Sequence, residues 1–274
     1  MENRSSFANV LLWATILVGL GLVLLLITGQ PTVRSVHQAA VSPKPTPAEI
    51  LENLKAGNER FVAGTSSRKN ADAARIALAG KESQEKYAYA TVLACSDSRV
   101  PVELIFDAGI MDVFVVRVAG NVADTDEVGS IEYGLAHVHT PVLVVLGHTQ
   151  CGAVTEVTHA VQGVGHPLER NIPPLVDNII PAVKRAMELH PDAHEDEVVP
   201  FAIEENVWQS IEDLFMRSPA VRSLVAEGTI QVVGAIYDIG TGKVSWLSPE
   251  TVAEILKKVE ASPIKETEAF ATSK

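Results

Sequence analysis

The chain holds only two cysteines, and each stands beside polar partners at the end of an apolar run. Cys95 begins the stretch Cys95-Ser-Asp97-Ser-Arg99, directly after the run 89–94. Cys151 closes Gly147-His148-Thr-Gln-Cys151-Gly152, directly after the run 142–146. Two thiolates and an imidazole suit Zn2+, which accepts soft sulfur and borderline nitrogen in a tetrahedron. Three protein ligands leave a fourth position for water, the arrangement of a catalytic rather than a structural site. The same residues also admit duller readings: buried structural cysteines, a disulfide, or a cysteine nucleophile with His148 as its base. Asp97 adds a carboxylate two residues beyond the first thiol. It can serve as a fourth metal ligand, or pair with Arg99, which would hold it ionised.

Such residues need elements to bring them together. Short β-branched runs at 89–94, 113–116, 142–146 and 230–236 read as strands covered on both faces, the habit of parallel sheets. Apolar periodicity predicts helices over 126–138, 153–162, 175–189 and 202–217, with a closing helix over 250–259 and an edge strand over 243–247. Thr46 and Glu49 form a capping-box pattern ahead of a helix that carries Ile50, Leu54 and Phe61 on one stripe and ends near Gly64. The alternation predicts an α/β domain with a mainly parallel central sheet flanked by helices. Ligand sites in such sheets lie outside the carboxyl ends of the strands, where both cysteine loops would sit.

Composition narrows the partners. The 274 residues carry a formal net charge of −12, which opposes the phosphate neutralisation that nucleic-acid binding requires. Aromatic residues make up 5%, too sparse for a base-stacking platform. Residues 10–27 form an uncharged apolar run, about the length of a spanning helix and longer than a usual signal peptide core. We read residues 1–28 as an uncleaved signal-anchor, the alternative being a cleaved signal. Residues 29–47 then form a Pro-rich linker, 48–260 the catalytic domain and 261–274 a polar tail. The expected location is membrane-anchored or exported, with the domain periplasmic or otherwise outside the cytoplasm.

Taken together, Cys95-x-Asp97-x-Arg99 and His148-x-x-Cys151 resemble the zinc signature of the β-class carbonic anhydrases. The resemblance extends to Leu54-Lys-x-Gly57-Asn58-x-Arg60-Phe61, to Ser98-Arg99-Val-Pro101-x-Glu103, to Asp112-x-Phe114-Val-x-Arg117 with Ala119-Gly120-Asn121, and to Ser130-x-Glu132-Tyr133. It implies a zinc enzyme that reversibly hydrates carbon dioxide to bicarbonate and a proton through a zinc-bound hydroxide. Cys95, His148 and Cys151 would hold Zn2+, and Asp97 and Arg99 would form the catalytic dyad, with Asp97 on zinc in a closed state. Phe114, Tyr133 and Gly152 would line the substrate pocket, the two aromatic residues reaching it from a neighbouring subunit of a homodimer or tetramer. Two positions depart from the family pattern. The Gln expected nine residues before the first ligand is Lys86, with Gln84 nearby. The Trp of a bicarbonate-inhibited subgroup is Val92, although Arg117 and Tyr237 match its partners. His137, His139, His159 and His166 are candidate proton shuttles. Alternatives within the resemblance are a zinc hydrolase of CS2 or COS, and a non-catalytic bicarbonate-binding protein.

Overall fold

Ala90–Cys95 (β1) and Val142–His148 (β3) are buried along their whole length, as strands covered on both faces must be. They lie side by side at the centre of the sheet. Val113–Val118 (β2), Gln231–Tyr237 (β4) and Val244–Trp246 (β5) complete it in the order β2-β1-β3-β4-β5. The first four strands run parallel, and only β5 is antiparallel. These strands belong to a computed structural model that describes residues 44–270.

Alternation along β1 and β3 sorts the two cores. Val92, Ala94, Val144 and Leu146 face Ile50 and Leu54 of the Pro47–Val62 helix. Leu93, Leu143 and Val145 face Val207, Ile211, Leu214 and Phe215 of the Val199–Arg217 helix. Burying a side chain such as Ile50 or Leu54 contributes about 1.5–3 kcal/mol. The expected capping box forms: Thr46 Oγ1 accepts from Glu49 N, and Glu49 Oε2 accepts from Thr46 N.

Much of the Leu54–Phe61 motif holds the fold. A Cβ on Gly57 would lie 2.0 Å from the Phe106 carbonyl oxygen, so only glycine lets that helix approach. Buried Asn58 donates to the carbonyls of Ile105 and Gly242 and accepts from Val244 N. Arg60 Nε donates to buried Asp107 at 2.6 Å.

Three helical expectations change. The predicted 126–138 helix is α-helical only over Thr125–Glu132 and widens into a π-turn at Tyr133–His137, where Gly134 crosses close to Thr91. The predicted 175–189 helix is divided into Ile172–Val176, a 3-10 turn at Asp177–Ile179, and Ile180–Leu189; Pro181 lacks the N–H that a continuous helix would use. The helix expected from 202 begins at Val199, where Pro200 fits the first turn. A further helix, Pro219–Ala226, follows an Ser218 cap that the sequence reading passed over. Among the described residues no helix is long and apolar enough to cross a membrane. The 10–27 run, on which the expected N-terminal hydrophobic helix rests, lies outside them.

Candidate metal centre

β1 ends on Cys95, β3 ends on His148, and the two strands are neighbours, so the sheet itself brings thiol and imidazole to one crevice. The loop after β3 then returns Cys151 to the same place, as the residue that starts the Gly152–Val161 helix. The ligand atoms of Cys95, His148 and Cys151 all lie within 4.8 Å of one another, and all three residues are buried. Val122, Val154, Ile179, Val183, Ala202 and Ile203 pack around the two thiols and keep the cluster dry.

The hydrogen bonds show what the cluster is built to hold. His148 Nδ1 lies 3.0 Å from the Thr149 carbonyl, which can only accept, so Nδ1 carries the proton. Nε2 therefore keeps a lone pair, and it is buried without any protein partner. Cys95 Sγ accepts from Gly120 N at 3.3 Å and from Asp97 N at 3.4 Å. The Cys95 thiol is pulled below its ordinary value, first by the Cys151 thiol, against the cost of burial, and then by these two backbone N–H groups. The Cys151 thiol is pushed up by its bond to Cys95, by burial and by the charge on Cys95. Two adjacent buried thiols cannot both ionise at neutral pH without a cation to neutralise them. An orphaned imidazole lone pair beside such a pair is the donor set of Zn2+, so the residues fit that ion.

Asp97 does not join the cluster in this conformation. Its carboxylate accepts from Arg99 Nε at 3.0 Å and Arg99 Nη2 at 2.6 Å, and from the Arg99 backbone N–H at 2.8 Å. Those Arg99 bonds, opposed by partial burial, hold the carboxyl well below the usual carboxylate range. Arg99 Nη2 also donates to the Gln150 carbonyl at 3.0 Å, which straps the first loop to the loop carrying Cys151.

Other expected site residues lie elsewhere. Gly152 is exposed at the start of its helix, and a Cβ there would meet open space. Phe114 is level with Thr91 in the sheet, four residues before the level of Cys95, or about 13 Å at the usual strand rise. Its ring meets Tyr133, which in turn stacks on His137. Both aromatic residues thus sit along the outer β2 edge, apart from this chain's own cluster. Gln84 and Lys86 precede β1, at its opposite end from Cys95. His139 faces Glu85, His159 faces Asp196 and His166 faces Glu156. A cavity of about 530 Å3 opens beside the loop after β3, lined by Thr149, Gln150, Thr155, Val199, Ile203 and Ile236.

Sequence reading missed the role of Arg117. Its Nε donates to the Cys95 carbonyl at 3.0 Å and its Nη2 to the Asp97 carbonyl at 2.6 Å. It braces the turn that presents both residues. Its place in the Asp112-x-Phe114-Val-x-Arg117 motif, directly after the β-branched run 113–116, singled the residue out but carried no sign of this bracing.

Comparison with known proteins agrees with the geometry. A family model described as carbonic anhydrase matches residues 90–244. A carbonic anhydrase of Mycolicibacterium smegmatis is 36% identical over 203 residues, covering 74% of this chain and 94% of the relative. Carbonic anhydrase 2 of Mycobacterium tuberculosis is 34% identical over 205 residues, covering 73% and 93%. The solved β-carbonic anhydrase CafA of Aspergillus fumigatus superposes with a TM-score of 0.57 at 23% identity, covering 77% of this chain and 97% of that one.

Proposed function

This chain belongs to the carbonic anhydrase family, in its β class, and on that premise we propose that the Cys95–His148–Cys151 centre carries out the reversible hydration of carbon dioxide to bicarbonate and a proton. The observation that carries the reading is the buried His148 Nε2 lone pair, without a protein partner beside the two buried thiols of Cys95 and Cys151. Cys95, His148 and Cys151 would hold Zn2+ there, which would acidify a water towards neutrality for use as the nucleophile.

The chain's own residues do the rest. Asp97, kept ionised by Arg99, offers an acceptor oxygen that orients the attacking water through its proton. Arg99 holds the Asp97 turn to the Gln150 carbonyl, so the two loops keep their spacing. Arg117 fixes the carbonyls on either side of Ser96. The apolar packing around both thiols excludes bulk water and strengthens the electrostatics inside. Asp97 and Arg99 stand at the rim, where the product proton passes to solvent.

The same proposal includes an oligomer and a tether. β2 is an outer strand, and Tyr133 beside it is 52% exposed. Pairing two copies along that edge would cover these groups and carry Phe114 and Tyr133 to the partner's centre, with Gly152 leaving room for substrate. A solved neighbour of the same fold is described as a tetrameric β-carbonic anhydrase of Sordaria macrospora, at a TM-score of 0.50. The apolar 10–27 run and the Pro-rich linker support membrane attachment with the domain outside the cytoplasm. Protease protection of intact cells tests that placement.

Stopped-flow hydration of carbon dioxide by the purified full-length chain, run with metal analysis, tests the activity. One zinc per chain and fast hydration, both lost in Cys151→Ser, is the expected result. Zinc with turnover of CS2 or COS in place of carbon dioxide would overturn the substrate, and metal-free protein purified reduced would overturn the centre.

A further inference from the structure

The geometry points to Asn206 and Ser210 as positioning residues that set the electron donation of the Cys95 sulfur, acting through the Gly120–Asn121 turn; the inference rests on the zinc reading above. Gly120 N–H reaches Cys95 Sγ at 3.3 Å. To aim that N–H inward, Gly120 and Asn121 both take left-handed backbone angles, with φ of 75° and 45°. Asparagine enters that region more readily than most non-glycine residues, but two left-handed residues in succession need support from their surroundings.

The requirement comes from the Val199–Arg217 helix. Asn206 Nδ2 donates to the Gly120 carbonyl at 2.7 Å. Ser210 Oγ lies 2.9 Å from the Asn121 carbonyl and 2.8 Å from the Asn206 carbonyl, with one proton to share between them. The two side chains are one helical turn apart on a single face, and both are 1% exposed. They interrupt a stretch whose other buried members include Ala202, Ile203, Val207, Ile211 and Leu214. Asn206 Oδ1 has no partner at all in that setting. An apolar residue would pack there without the unpaired Oδ1, but it would leave the buried Gly120 carbonyl without its donor. The amide is explained by the carbonyl it grips, and that carbonyl belongs to the residue whose N–H touches the metal-ligand sulfur.

A hydrogen bond to a metal-bound thiolate draws electron density from sulfur and leaves the metal more electron-poor. Loosening the turn removes that draw, and with it the fixed placement of the sulfur on which metal affinity depends. Cobalt(II) in place of zinc in the full-length chain makes the effect visible, because the sulfur-to-cobalt charge-transfer band reports the sulfur directly. Asn206→Ala should move the band to longer wavelength and weaken metal binding by about tenfold in chelator competition, at the low end of outer-shell effects. Ser210→Ala should move it the same way by less, and decides the matter alone if Asn206→Ala does not fold. Ile211→Val, on the same helix but facing the other core, should leave band and affinity unchanged. Wild-type band and affinity in both polar variants would overturn the inference, as would an equal shift in Ile211→Val. A wild-type chain that takes up no cobalt would overturn the zinc reading, and this inference with it.

Discussion

Replacing Gly120 with alanine should destabilise the domain, while the same change at Gly152 should not. At Gly120 the new Cβ would lie 2.6 Å from Ile179 Cδ1 and 3.3 Å from Ala153 Cβ, and the backbone φ is 75°. Holding a Cβ in the left-handed region costs roughly 1–2 kcal/mol. Crowding into a filled site costs about 1–3 kcal/mol more. The low half applies, because Ile179 Cδ1 is the end of a side chain that can turn, although Ile179 is fully buried. Alanine also stiffens the unfolded chain, which returns about 0.4–1 kcal/mol. The net expectation is a loss of about 2 kcal/mol, or about 4–8 °C in thermal midpoint for a domain of this size. Gly152 has nothing within 4 Å of its Cβ position, so its alanine variant should stay within about 0.5 kcal/mol of wild type. Urea denaturation of metal-stripped, reduced protein is the assay, since bound metal would add its own linkage. Equal stability of the two variants would refute the reasoning, because both the left-handed φ and the crowding are present at Gly120 and absent at Gly152.

Other consequences are as specific. Arg99→Met removes the guanidinium from Asp97 and from the Gln150 carbonyl but touches no metal ligand; hydration should fall about tenfold or more with zinc content unchanged, and activity within twofold of wild type would count against the dyad. Burial alone would raise the Asp107 carboxyl, yet Arg60, Ser67 and the Arg68 N–H hold it well below the usual range. A depressed group contributes stability that is present above its unfolded value of about 3.9 and lost as pH falls towards its folded value. Urea midpoints should thus drop below about pH 4 in wild type, and Asp107→Asn should be weaker at pH 7 with a flatter acid limb; parallel curves would sink this account. Tyr133→Glu places a charge on the exposed β2 edge. Sedimentation should show a smaller particle that keeps zinc but loses hydration, and an unchanged oligomer would mean the subunits meet elsewhere.

The three residues of the buried cluster were legible in the sequence because the relevant information is local. Residue type, spacing and the end of an apolar strand are all properties of a few neighbouring positions, and Cys95, Cys151 and His148 carry all three. The parallel sheet was legible for the same reason, since runs such as Val142–His148 are apolar on both faces. Motif matching went further than it could interpret: Gly57, Asn58 and Arg60 look as distinctive as Asp97 and Arg99, yet they join the first helix to Ile105, Asp107 and Gly242. Helix boundaries failed where proline or a close crossing acts on a single residue, as at Pro181 and Gly134.

Tertiary structure alone decided how the ligands are tuned. The tautomer of His148 is set by the Thr149 carbonyl, the Cys95 sulfur is met by an N–H from Gly120, and the Asp97 turn is braced by Arg117. Asn206 reaches the Gly120 turn from 86 residues away. Each of these partners is a backbone group or a distant side chain. Every residue but proline carries the same backbone donor and acceptor, so sequence cannot say which ones meet a given side chain. Only the packing of helix on sheet, which fixes distances across the chain to within a few tenths of an ångström, makes that choice.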